Sequence, residues 1–313
     1  GGNDIACVLS DTRPHTSRTH APRGVSRTAT DVADISAAYA PAQVAPPGAA
    51  HPYATAIQLL LRRASPLAQG AGGLQQPDET PLQAACRLVL QLDGHLLAIQ
   101  GPPGTGKTYT GAHMICTLVR AGLRVGITAV SHKVILNLME GALRQAAAQR
   151  LELRAIHRQK GQYAGDAGIR YVYSYGQIRQ QLAAGSVDMV GATAWGWSRE
   201  EFVQSVDVLI VDEAGQMSLS NVLAVAPAGR SLVLLGDPQQ LEQPLQGSHP
   251  EGSETSALEH LLAGELTMPA DKGLFLDRTY RLHPAIARFT SEVYYQNRLQ
   301  AAPGLERQRL IGA

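Results

Sequence analysis

The sequence predicts an α/β fold in which a parallel sheet is covered by helices on both faces. Three observations carry that expectation. Short apolar runs alternate with helix-forming stretches from about Pro81 onward, as strands joined by helical crossovers do. Each run ends where Gly, Asp, Thr or Ser appears. The first run leads into a glycine-rich turn and then a helical stretch, and in open sheets of this kind ligands gather beyond the carboxyl ends of the strands.

The elements follow in order. Residues 1–52 include Asp11–His20 and Ala40–Gly48, which have no period and few large apolar side chains. Such a segment buries too little surface to offset its ordering entropy, so a disordered, low-complexity stretch is expected. Residues 53–80 read as a helix, spaced by Ile57, Leu60 and Leu61, and a Gly/Gln/Pro linker. The main domain is expected over 81–277, with strands Leu96–Gln100, Arg124–Ala129, Val187–Ala192, Val206–Val211 and Ser231–Leu235. A helical insertion is expected between the second and third strands, at about 135–186. It is rich in Arg and Tyr and poor in acids, which suits phosphate contacts and stacking platforms as well as it suits a solvated helical face.

Composition sets the bounds. Across 313 residues the net charge is +1, so any nucleic-acid contact would come from a local groove and not from global attraction. Cys7, Cys86 and Cys116 are far apart and form no C-x-x-C pair, which points to a reducing, cytoplasmic setting without a disulfide framework or zinc site. No apolar stretch reaches the ~18–20 residues that span a bilayer, so no membrane partner is expected.

Gly101-Pro102-Pro103-Gly104-Thr105-Gly106-Lys107-Thr108 fits the G-x-x-x-x-G-K-[ST] phosphate loop in its proper setting of strand, turn and helix. The glycines let successive N–H groups converge on a polyphosphate, and the helix N-terminus adds its dipole. Lys107 would reach the β- and γ-phosphates and the Thr108 hydroxyl would ligate Mg2+, so a nucleoside triphosphate, ATP, is the expected cofactor. Tyr109 continues the loop into the helix. Downstream, Val208–Val211 delivers Asp212 and Glu213 at a strand tip; Asp212 suits the metal and Glu213 the attacking water. The next strand ends in Gly236-Asp237-Pro238-Gln239-Gln240. There Gln240 reads either as a γ-phosphate sensor or as part of an Asp-Pro turn.

The set Gly101–Thr108, Asp212–Gln216, Gly236–Leu241 and Thr279–Pro284 resembles superfamily 1 helicases of the 5′-to-3′ group, relatives of the nonsense-mediated-decay helicase and of replication nuclease-helicases. Ser131–Ile135 and Gln239–Pro250 resemble, more narrowly, bacterial fusions of a RecB-like nuclease to such a helicase. The resemblance covers about residues 53–313. It implies a RecA-like P-loop NTPase lobe that couples ATP hydrolysis to single-stranded nucleic acid, DNA ahead of RNA. It implies an adenine contact from Gln83, γ-phosphate ordering by Gln216, base stacking by Tyr280, and a γ-phosphate contact from Arg281 across the cleft. Thr128, Ser131, His132, Lys133 and Thr193 would touch the strand backbone; without the resemblance His132 reads as a surface histidine. Thr279 departs from the glutamine or asparagine usual before the tyrosine. Residues 278–313 would begin a second lobe, so that lobe and a nuclease domain are expected to be missing from a fragment. The alternative is an ATP-gated nucleic-acid-binding module that does no unwinding.

Overall fold

In the computed structural model, residues 51–68, 73–159, 168–240 and 255–308 are described. The expected disordered segment lies outside them except for His51 and Pro52, as do Leu241–Pro250 and the last residues of the chain. Eight parallel strands form one sheet: β1 Leu96–Gln100, β2 Val125–Thr128, β3 Ala155–Arg158, β4 Ile169–Val172, β5 Met189–Gly191, β6 Val206–Asp212, β7 Gly229–Gly236 and β8 Gly273–Phe275. Their spatial order is β4-β3-β5-β2-β6-β7-β1-β8. The central strands are buried on both faces, which is why they read as unbroken apolar runs rather than alternating ones.

Helices α1 Ala54–Leu60, α2 Pro81–Gln91, α3 Lys107–Arg120, α4 His132–Ala148, α5 Tyr175–Ala183, α6 Ala194–Trp197, α7 Leu219–Val225, α8 Ala257–Leu262 and α9 Pro284–Tyr294 complete the fold. Ile99 and Ile127 from the sheet pack with Met114 and Ile115 of α3 and Leu138 of α4 in the main core. Helix starts are written locally: Thr80 with Gln83 and Ser174 with Gln177 form capping boxes, and Ser131 caps α4.

The segment 135–186 corrects the sequence reading. It is helical at both ends, in α4 and α5, but between them β3 and β4 extend the sheet to its edge. His157, Arg158, Arg170 and Tyr171 make these strands look polar, and that hid them. The three-residue β8 was missed for its shortness. From Pro52 onward the chain forms one compact unit. Beyond it β9 Arg278–Thr279 pairs in parallel with β10 Gln300–Ala301, and Tyr295 and Leu299 pack on Phe275.

Candidate nucleotide and strand site

The strand order puts β6, β7 and β1 side by side, so the three motifs they carry meet at one rim. Register fixes the meeting: Gln100 stands opposite Gly236 and Asp212 opposite Leu235. The Gly101 N–H donates to the Gly236 carbonyl at 2.8 Å. Beyond it the loop curls through Gly104 (φ +76°) and Gly106 (φ +86°). Thr105 closes the curl by donating to the Pro102 carbonyl at 2.7 Å. Gly106 occupies the N-cap of α3 with no side chain to bond the first-turn amides. Those amides are open to an anion, reinforced by the dipole of a 14-residue helix.

Lys107 Nζ donates to the Gly101 carbonyl at 2.9 Å and lies 4.0 Å from Glu213 Oε1. Asp212 is buried at the tip of β6, and burial first, then the Glu213 charge, raises its pKa to about 7. Glu213 sits in the left-handed region at φ +53°, a conformation non-glycine residues avoid and functional sites tolerate. Its Oε2 is buried with no hydrogen-bond partner. Two adjacent carboxyls, one reluctant to ionise and one with an orphan oxygen, face one ammonium; oxygen donors of this kind fit a divalent cation, and Thr108 follows Lys107 on the first turn of α3. The Gln216 N–H closes the following turn on the Glu213 carbonyl at 2.8 Å. Asp237 is buried one strand over, where it accepts from Tyr295 Oη at 2.7 Å and from Gln240 Nε2 at 3.4 Å. Gln240 therefore stands at the rim and is also part of the Asp-Pro turn.

The outer wall of the loop comes from β9. The Tyr280 N–H donates to the Gly104 carbonyl at 2.8 Å, and Thr279 Oγ1 donates to the Pro103 carbonyl at 2.9 Å. The departure at Thr279 thus has a structural role: its buried hydroxyl straps this segment to the phosphate loop while accepting from the Arg281 and Leu282 amides. Arg281 lies directly against the loop, its backbone N–H and Cβ being among the atoms nearest Gly104. A cavity of about 620 Å³ opens here, flanked by Tyr109 and Tyr280 and floored by Leu82 and Leu276. Gln83 is not on its wall. As the N3 residue of α2 it turns its Oε1 back to accept from Thr80 N and Oγ1, both at 2.9 Å, and Thr80, Pro81 and Leu82 line the cavity instead.

The second set of expected residues occupies the neighbouring edge, where β2, β5 and β3 end. Ser131 caps α4 by accepting from the Val134 N–H at 3.3 Å. Lys133 is exposed, and Thr193 is half-buried as the N-cap of α6. Thr128 corrects the expectation of a strand contact: it is fully buried at the end of a central strand, its hydroxyl unpartnered. His132 bonds to His157 of β3. Close by, the Arg158 and Arg199 guanidiniums lie 4.5 and 5.0 Å from the centre of the Tyr175 ring. Thr279, Tyr295 and His157 are site-shaping residues that sequence reasoning did not assign. Only the first lay inside a motif, where its departure from the usual residue was the signal.

A family described as "AAA domain" matches residues 82–252, just over half of the chain. The chain belongs to this family. Among its relatives, the DNA replication ATP-dependent helicase/nuclease DNA2 of Xenopus laevis is 27% identical over 241 residues, 74% of this chain and 21% of that protein. Helicase SEN1 of Saccharomyces cerevisiae is 30% identical over 101 residues, 32% of this chain and 4% of its own length. A solved arterivirus nonstructural protein 10 helicase in complex with DNA aligns at 16% identity and a TM-score of 0.44, covering 70% of this chain and 44% of that one. These sequence relatives bear out the resemblance to superfamily 1 helicases. The chain spans about a fifth of the DNA2 relative that it matches.

Proposed function

We propose that this chain is the ATP-binding motor lobe of a superfamily 1 helicase, hydrolysing ATP with magnesium while holding single-stranded nucleic acid along the adjoining edge of the sheet. One observation carries the reading: the phosphate loop, the Asp212–Glu213 pair and Tyr280–Arg281 converge on one rim although they are far apart in sequence. Lys107 would exchange the Gly101 carbonyl for β- and γ-phosphate oxygens. Asp212 and Thr108 would hold magnesium, which when bound would supply charge neutralisation at the phosphates. The unpartnered Glu213 Oε2 is free to accept a proton from the attacking water. Gln216 and Gln240 would order the γ-phosphate, and the cavity between Tyr109 and Tyr280 would take the purine.

DNA as the strand is supported by two relatives, the DNA replication ATP-dependent helicase/nuclease DNA2 and the mouse 5'-3' DNA helicase ZGRF1. The finer kinship with bacterial nuclease–helicase fusions rests on Ser131–Ile135 and the run after Gln239. A reducing, cytoplasmic compartment is supported by the free thiols of Cys86 and Cys116. Unwinding would belong to the longer protein.

The test is ATP hydrolysis with and without an oligonucleotide, alongside titration calorimetry with a magnesium–ATP analogue. Hydrolysis is expected to need magnesium and to rise with single strands. Lys107→Ala should lower it by about 10²-fold or more, since preorganised charge on the transferring group supplies most of this catalysis. Normal hydrolysis by Lys107→Ala would remove the site assignment.

A further inference from the structure

His132 belongs to a chain of three groups. Its Nδ1 lies 3.0 Å from Nε2 of His157, and His157 Nδ1 lies 3.0 Å from the Gly191 carbonyl oxygen. The rings meet edge-on at 5.1 Å. A carbonyl only accepts, so His157 Nδ1 carries a proton. His157 is fully buried, and burial first, then the positive charges of His132 and Arg158, lowers its pKa to about 4. It is therefore neutral, with Nε2 a bare acceptor. The hydrogen between the rings must then belong to His132 Nδ1.

Neutral His132 is left with an unprotonated Nε2 on the far side of its ring, and that nitrogen has no hydrogen-bond partner among the described residues. The arrangement is built in. A Cβ at Gly191 would come within 2.7 Å of His157 Nδ1 and 2.4 Å of the Met139 sulfur, so only glycine lets the imidazole reach this carbonyl. The groups facing His132 are His157 and Arg158 of β3, with Tyr171 of β4 edge-on to His157 beyond, and Lys133 is its exposed chain neighbour. No carboxylate is hydrogen-bonded to either ring among the described residues. Burial first, and then the Arg158 charge, holds His132 below the ordinary histidine value.

We propose that His157 is a positioning residue that decides which nitrogen of His132 takes up a proton when a strand phosphate arrives. His132 Nδ1 is already occupied, so a proton from solvent can add only to Nε2. That nitrogen changes from an acceptor into a cationic donor, and its new N–H donates to a phosphate oxygen. One N–H bond forms, none breaks within the protein, and one proton leaves solvent per strand bound. In the free protein Arg158 and burial oppose the imidazolium; the phosphate charge offsets both. The inference rests on the strand edge proposed above, and it makes that contact proton-linked.

Two measurements on the full chain test it. Long-range nitrogen-15 spectra of the ligand-free protein at pH 7.5 should show both rings with the proton on Nδ1; a His132 proton on Nε2 would overturn the proposal. Fluorescence anisotropy with a labelled oligothymidylate should show affinity falling between pH 6.5 and 8.5, by up to about tenfold per pH unit for one linked proton. His132→Gln should flatten that slope and weaken binding severalfold at pH 6.5. His157→Gln should flatten it too, but the residue is buried, so His132→Gln carries the test alone. Equal slopes in wild type and His132→Gln would overturn this proposal only. No strand binding at any pH would overturn it together with the strand reading.

Discussion

Two neighbouring edges of the same sheet are built in different ways. At the nucleotide edge, where β6, β7 and β1 end, backbone does most of the work: curled amides, a left-handed Glu213, and carbonyls of Gly101, Pro103 and Gly104 that hold Lys107, Thr279 and Tyr280. At the strand edge, where β2, β5 and β3 end, side chains do it. His132 reaches His157 from 25 residues away, and Arg158 and Arg199 converge on Tyr175 from separate elements. Backbone curls demand particular residues at fixed spacing. Side-chain clusters demand only that distant residues meet, which no local pattern records.

The largest expected effect breaks the backbone-built edge. A Cβ at Gly104 would come within 2.3 Å of the Arg281 Cβ and 2.8 Å of Thr279 Oγ1, at φ +76°. Gly104→Ala should therefore lower nucleotide affinity by roughly 30-fold or more, the order of a strained left-handed position plus a displaced wall. Calorimetry with the magnesium–ATP analogue measures it. Affinity for the oligonucleotide without nucleotide should stay within about twofold on the same grounds. A parallel loss at both edges would show that they are not separable.

Asp212 sharpens the comparison through charge. Its folded pKa of about 7 lies above its ordinary value, with burial the main cause and Glu213 the second. The folded lobe thus holds that proton more tightly than the unfolded chain does. The stabilisation is complete below about pH 4 and is lost as pH rises through about 7. Asp212→Asn, which cannot ionise, should raise the melting stability of the nucleotide-free lobe at pH 8 by about 1–3 kcal/mol and change little at pH 5. It should also abolish protection by magnesium–nucleotide. Identical melts of variant and wild type at pH 8 would mean that Asp212 is not under this strain.

This division also marks what the sequence could convey. Strands β1, β2, β5, β6 and β7 were readable because both faces are buried and their side chains are apolar. The phosphate loop and the acid pair were readable because their spacing is a backbone requirement, whereas Tyr280 came only with the helicase resemblance. Strands β3 and β4 were not, since His157, Arg158, Arg170 and Tyr171 interrupt the apolar pattern. Gln83 had a second reading that the local sequence does not separate from the first, since a glutamine three residues past Thr80 serves equally well as a capping-box partner. The burial of Thr128 depends on neighbours that the local sequence does not name.

The smallest expected effect asks how residues 278–308 are held to the nucleotide edge. Tyr295 is 2% exposed, and its hydroxyl donates to Asp237 Oδ2 at 2.7 Å. Burial first, then the Asp237 charge, pushes the phenol pKa well up, so this donor persists across the working range. Tyr295→Phe keeps the ring against Phe275 and Leu299 but removes the short donor from a carboxylate that is itself 1% exposed. The long 3.4 Å contact from Gln240 is a poor replacement. Loss of one partner from a buried carboxylate should cost about 1–2 kcal/mol in a denaturant melt. Asp237 also anchors the turn that carries Gln240, so hydrolysis should fall by a few-fold while nucleotide affinity holds. An unchanged melt would assign the anchoring to the Phe275, Tyr295 and Leu299 packing alone, and Asp237 would then serve the turn without tying it to the segment that walls the phosphate loop.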